Sequence, residues 1–90
     1  MTRDIYLEIT YRHGKALAGY LYLAKSSDDK VVRSQKVSPG LVVDYGADGK
    51  PIGIEITSPS TVSAQAINEL LAELHQQTLD KAELAPLLVS

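Results

Sequence analysis

Residues 37–56 read VSPGLVVDYGADGKPIGIEI, two apolar runs on either side of an Asp48-Gly49 dipeptide. Asp-Gly is a preferred occupant of a two-residue type I′ hairpin loop, because both central positions need positive φ and glycine has no Cβ to resist it. That turn predicts a register in which Ala47 faces Lys50, Tyr45 faces Ile52, Val43 faces Ile54 and Leu41 faces Ile56. The last three pairs fall on one face, which reads as core. The opposite face receives Asp44 with Gly53 and Val42 with Glu55, a mixed surface. Ser38-Pro39-Gly40 fits a type II corner, with proline presetting the second position and glycine accepting positive φ at the third. Pro51 begins its strand, where a missing N–H is tolerated.

Working outward, residues 4–11 alternate Ile5, Leu7, Ile9 and Tyr11 with Tyr6, Glu8 and Thr10, the period of a half-buried strand. His13-Gly14 then suits a second two-residue turn, placing Tyr11, Ile9, Leu7 and Ile5 opposite Ala16, Ala18, Tyr20 and Tyr22. Residues 19–24 are apolar on both faces and predict a central strand covered on both sides. Ser26-Ser27-Asp28-Asp29 reads as a polar turn. Residues 30–37 follow with β-branched Val31, Val32 and Val37 but weak alternation, and Arg33, Gln35 and Lys36 suit an edge strand that a partner could extend.

From Thr61 the period lengthens. Ala66, Ile67, Leu70, Leu71 and Leu74 recur at helical spacing over about residues 61–77, with Ser60, Thr61 or Ser63 as the cap. Asp80 and Glu83 have capping-box spacing for a short helical tail over about 80–86, ending before Pro86. The apolar tail Leu84, Leu87, Leu88 and Val89 must dock on the sheet, the main helix or a sister subunit. The fold class expected is therefore α+β: about five antiparallel strands over residues 3–57 in a meander-like sheet, then the amphipathic helix and tail, all in a single domain.

A chain of 90 residues with 44% hydrophobic content supports one core, but it buries only roughly 60–65% of its unfolded surface. Without cysteine neither a disulfide nor a thiolate metal site can reinforce it, so a homodimer is expected. A net charge of −2 supplies no basic field for nucleic acid, and no apolar run is long enough to span a membrane. The N-terminus enters a strand pattern without a leader peptide's charged and apolar regions, which predicts a cytoplasmic address.

The run from Leu21 to Ile56 resembles the domain-of-unknown-function 2283 family of small bacterial and archaeal proteins. The residues that carry the likeness are Leu21-Tyr22-Leu23, the polar turn before Val31, Ser38-Pro39-Gly40, Val43-Asp44-Tyr45 and Gly53-Ile54-Glu55-Ile56. The resemblance implies a short, β-rich protein without an established activity, in some cases an antitoxin-like partner of a small toxin. Family members place acidic residues before the first long strand, whereas this chain has Arg12-His13-Gly14-Lys15.

Catalytic chemistry finds little support. Ser38, Ser58, Ser60 and Ser63 have no productive spacing to His13 or His75. His75 lies near a helix end, where a cation suits the exposed carbonyls. Asp44 and Glu55 share a face of neighbouring strands, so a ligand site using them with His13 is one reading, a weak hydrolase its enzymatic form. No residue pattern calls for a metal or a cofactor. Tyrosines outnumber all other aromatics, and Tyr6, Tyr20 and Tyr22 with Leu84, Leu87 and Leu88 are the expected contact residues for a second copy or a toxin-like partner. Stacking on nucleotides would require a positive groove that this composition lacks. A non-enzymatic interaction module is the leading expectation.

Overall fold

The computed structural model describes residues 6–23 and 30–88. Five strands, β1 (Tyr6–Arg12), β2 (Lys15–Tyr22), β3 (Arg33–Ser38), β4 (Leu41–Tyr45) and β5 (Pro51–Ile56), precede a 3-10 turn at Pro59–Thr61 and two helices, α1 (Ala64–Glu73) and α2 (Lys81–Leu88). All strand pairs are antiparallel. Their order is β1-β2-β5-β4-β3, so the α+β class and five-stranded sheet stand, while the simple meander does not. The chain passes from β2 to the far edge and returns through β3, β4 and β5. Side-chain chemistry explains the order. β5 carries buried Ile54 and Ile56 and takes the centre, whereas β3 is exposed at almost every residue and takes an edge. The expected polar turn at residues 26–29, along with Ile5 and Val89, lies outside the described residues.

The deciding hairpin has the predicted pairs Leu41–Ile56, Val42–Glu55, Val43–Ile54 and Asp44–Gly53, but Tyr45 pairs with Pro51 rather than Ile52. The turn differs too. The Gly46 N–H donates to the Lys50 carbonyl and the Gly49 N–H to the Gly46 carbonyl, and of the turn residues only Gly49 has positive φ, at +84°. This is a three-residue loop closed by a left-handed glycine. Asp48 favours it by accepting the Lys50 N–H on Oδ1 at 3.0 Å. The longer loop shifts the pairing by one residue, and an irregularity between Asp44 and Tyr45 shifts it back.

The type I′ geometry appears instead at His13 and Gly14, with φ of +53° and +77°. Arg12 pairs with Lys15 and Tyr11 with Ala16, as expected. A register break then makes Leu17 the extra residue, so that Ile9 faces Gly19 and Leu7 faces Leu21, not Ala18 and Tyr20. The bulge brings the large aliphatic side chains of both strands onto the core face.

Both helices contribute to a core that lies against one face of the sheet. Ile67, Leu70 and Leu71 of α1 and Leu84 and Leu87 of α2 join Leu21, Leu41, Val43, Ile54 and Ile56 in one buried cluster. β2 is thus covered by helices on one side only, and its second apolar face is made of tyrosine rings. Ser63 caps α1 by accepting the Ala66 N–H on Oγ at 3.0 Å. At its other end the Gln76 and His75 N–H groups donate to the Leu71 and Ala72 carbonyls, a Schellman motif with His75 in the left-handed position at φ +60°. The helix is consequently shorter than the 61–77 expected. Among the described residues, no helix is long and apolar enough to cross a membrane.

α2 begins at the predicted capping box, where Asp80 and Glu83 exchange backbone N–H to carboxylate bonds of 3.0 Å each. It continues through Pro86 to Leu88 rather than ending before the proline. Burial explains the continuation: Leu87 is 1% exposed and lies so close to Gly19 that a Cβ there would strike its Cδ1. Burying such a side chain is worth roughly 1.5–3 kcal/mol, and with Leu84 buried beside it the pair offsets the roughly 3 kcal/mol that a proline inside a helix costs.

Candidate functional site

The sheet face away from the helices is built from alternate residues of all five strands. Tyr6 pairs with Tyr22, Tyr22 with Gly53, Gly53 with Asp44 and Asp44 with Ser34. One row along, Glu8 pairs with Tyr20, Tyr20 with Glu55 and Glu55 with Val42. Gly53 leaves a gap in the middle strand, and the Tyr20 ring lies in it. A Cβ on Gly53 would overlap the Tyr20 phenol, so this glycine is what lets a β2 side chain cross β5 and reach β4.

Beyond the gap, the Tyr20 hydroxyl donates to Asp44 Oδ2 at 2.9 Å, and the Ser34 hydroxyl donates to Oδ1 at 2.6 Å. Asp44 is 3% exposed, the one buried charged residue among those described. A buried carboxylate needs such donors, because each lone pair left without one carries a desolvation cost. Burial, the bond to Asp44 and the negative charges of Asp44 and Glu55 push the Tyr20 hydroxyl above its ordinary 10.0. Glu55 is pushed above its usual 4.5 by desolvation, then by a hydrogen bond with Asp44 and by that carboxylate's charge. The neighbouring Asp44 charge thus favours the protonated form of Glu55.

Next to this network the Tyr22 hydroxyl donates to Glu8 Oε1 at 2.8 Å, and that bond is the main cause of the raised Tyr22 ionisation. The Tyr22 ring packs tilted against Tyr6 and edge-on to Tyr20, with centroids 5.5 and 4.7 Å apart. The result is a layer of three tyrosines held by acids, with Tyr6 60% exposed.

Of the anticipated ligand residues, Asp44 and Glu55 are together and His13 is not. His13 follows the β1 end that pairs with Lys15, and the 8 residues of β2 separate Lys15 from Tyr22 by roughly 20 Å at the strand rise. Among the described residues no three His, Asp or Glu side chains are grouped to hold a metal ion. Both Asp44 oxygens already accept hydroxyl protons, so the carboxylate acts as a fixed anchor for Tyr20 and Ser34. The contact residues divide as well: Tyr6, Tyr20 and Tyr22 form the open layer, whereas Leu84 and Leu87 are buried in the chain's own core and Leu88 packs against it. Ser34 escapes sequence reasoning because its strand alternates weakly. Its place opposite Asp44 follows only from the pairing of β3 with β4.

The match to a known family falls on this network. Residues 18–60 fit the model described as "Protein of unknown function (DUF2283)". Those residues belong to the DUF2283 family. The DUF2283 segment holds Tyr20, Tyr22, Ser34, Asp44, Gly53 and Glu55, while Tyr6, Glu8, the His13 turn and both helices lie outside it. No curated protein and no solved structure matches the chain.

Proposed function

We propose that this protein is a non-enzymatic protein-interaction module whose docking surface is the open tyrosine face of the sheet. The observation that carries the reading is the layer of Tyr6, Tyr20 and Tyr22, which neither helix covers. Aromatic rings with a wet hydroxyl are favoured at protein interfaces, since they bury large area with few torsions to freeze. Here the Tyr22–Glu8 and Tyr20–Asp44 bonds have already ordered the rings, which lowers the entropic cost of binding.

The charges on that face favour a different protein over a second copy. Glu8 and Glu55 would meet their own counterparts if two copies packed face to face, and like charges brought together in an interface cost affinity. A homodimer would join through the β3 edge instead, where Val32 and Val37 are exposed. The antitoxin-like form of the reading makes the partner a small toxin held on the tyrosine face.

Affinity capture from the source cells, using the wild-type chain beside Tyr6→Ala/Glu8→Gln, tests the proposal. The wild type should retain a stoichiometric companion and the variant should lose it at an unchanged melting temperature. A companion that arrests growth when produced alone, and not when co-produced, would be the toxin. A wild-type chain that light scattering finds monomeric and that captures nothing, or a companion retained equally by the variant, overturns the docking surface.

A further inference from the structure

At the opposite end of the sheet a cleft of about 520 Å³ opens between the β1–β2 turn and the end of α2, within the size range of small-ligand sites. We infer that this cleft binds an amphipathic anion, a carboxylate head with an apolar chain, held by Arg12, His13 and Lys15 at the head and by Leu17 and Leu88 along the chain.

Several independent features converge there. Arg12 and Lys15 are direct cross-strand partners, and like charges in that position destabilise a hairpin unless an anion lies between them. His13, between them in sequence, is the first central residue of the turn and lines the same cleft. The bulge makes Leu17 the unpaired residue of β2 and leaves it 52% exposed on the cleft wall, a re-aiming of a side chain that bulges beside functional sites commonly provide. Among the described residues no carboxylate lines the cleft, although acids outnumber bases in the chain by 11 to 9. The cleft is independent of the tyrosine face.

A structural role for the same cations has to be separated from this one. The last carbonyls of α2 carry partial negative charge and attract nearby cations, and the Tyr11 hydroxyl already donates to the Pro86 carbonyl at 3.1 Å. Titration of the labelled full chain with sodium decanoate below its micellar range, followed by amide NMR and calorimetry, distinguishes the two. Decanoate should saturate and shift the amides of residues 12–17 and 87–88, whereas decanol and inorganic phosphate should each bind at least roughly tenfold more weakly. Lys15→Glu and Leu17→Ser should each weaken decanoate by roughly tenfold or more, and Arg12→Gln provides a second head-group variant if Lys15→Glu does not fold. Failure of decanoate to saturate, equal shifts with phosphate alone, or variants that lower the melting temperature without changing decanoate binding would overturn the inference.

Discussion

Tyr20 and Gly53 fit together as ring and gap: the phenol lies where a side chain on residue 53 would be, and its hydroxyl reaches Asp44 one strand further on. Gly53→Ala therefore has to displace the ring and leave one Asp44 oxygen without its donor. Denaturant unfolding should show a loss of about 2–4 kcal/mol, combining overpacking with an unmade bond to a buried charge. In a Tyr20→Ala background the same substitution should cost less than about 1 kcal/mol, because the ring it would strike is absent. Equal costs in the two backgrounds would disprove the fit.

The raised Glu55 carboxyl makes a signed prediction. Its folded-state value lies above its unfolded one, so the native state binds the proton more tightly and Glu55 disfavours folding as pH rises through the interval above 4.5. Glu55→Gln should be more stable than wild type at neutral pH, and the advantage should vanish below that interval, where both side chains are neutral. Solvent near Glu55 keeps the gain small. Urea midpoints measured across the acid range for both proteins provide the comparison, and a gain that grew towards low pH would contradict it.

His75 occupies the left-handed position that closes α1, where glycine is the favoured residue. His75→Gly should stabilise the protein by roughly 0.5–1 kcal/mol, since relief of the left-handed penalty exceeds glycine's extra unfolded-state entropy. His75→Val should destabilise by more than His75→Ala, as branching at Cβ worsens the same clash. Thermal melts of the three variants test the order. A helix-end charge role would instead make every uncharged replacement destabilising, glycine included.

The two hairpins show why some of this architecture is legible in the sequence and some is not. Alternation from Leu41 to Asp44 and from Gly53 to Ile56 is strong enough to set their pairing, even though Asp48-Gly49 builds a longer loop than its composition suggests. The extra loop residue and the irregularity beside Tyr45 cancel, so the core pairs survive. No such cancellation protects the first hairpin, where the Leu17 bulge displaces every pair beyond it. Asp44 and Glu55 are recognisable as acids on one face because they belong to a single local hairpin. The Tyr20 bond to Asp44 is not recognisable, since it requires β2 to lie beside β5, a neighbour relation decided by the whole sheet.

Asn68 is another residue whose work depends on distant chain. Its periodicity marks it as a polar position on α1, yet its Nδ2 donates to the Leu79 carbonyl at 2.7 Å and its Oδ1 accepts the Leu79 N–H at 2.8 Å. A side-chain amide thus satisfies both backbone groups of a residue that is 6% exposed, fixing the segment between α1 and α2 so that Leu84 and Leu87 reach the sheet. Asn68→Ala leaves both backbone groups unpaired and should cost about 2–4 kcal/mol. Asn68→Asp keeps the acceptor but sets a carboxylate against the Leu79 carbonyl, so it should recover little of that loss at neutral pH and more once the carboxyl is protonated and can donate. Hydrogen exchange should show the release first in α2, whose protection depends on this docking, while the β4–β5 ladder remains protected. Uniform loss across both would place the Asn68 clamp in the global core instead.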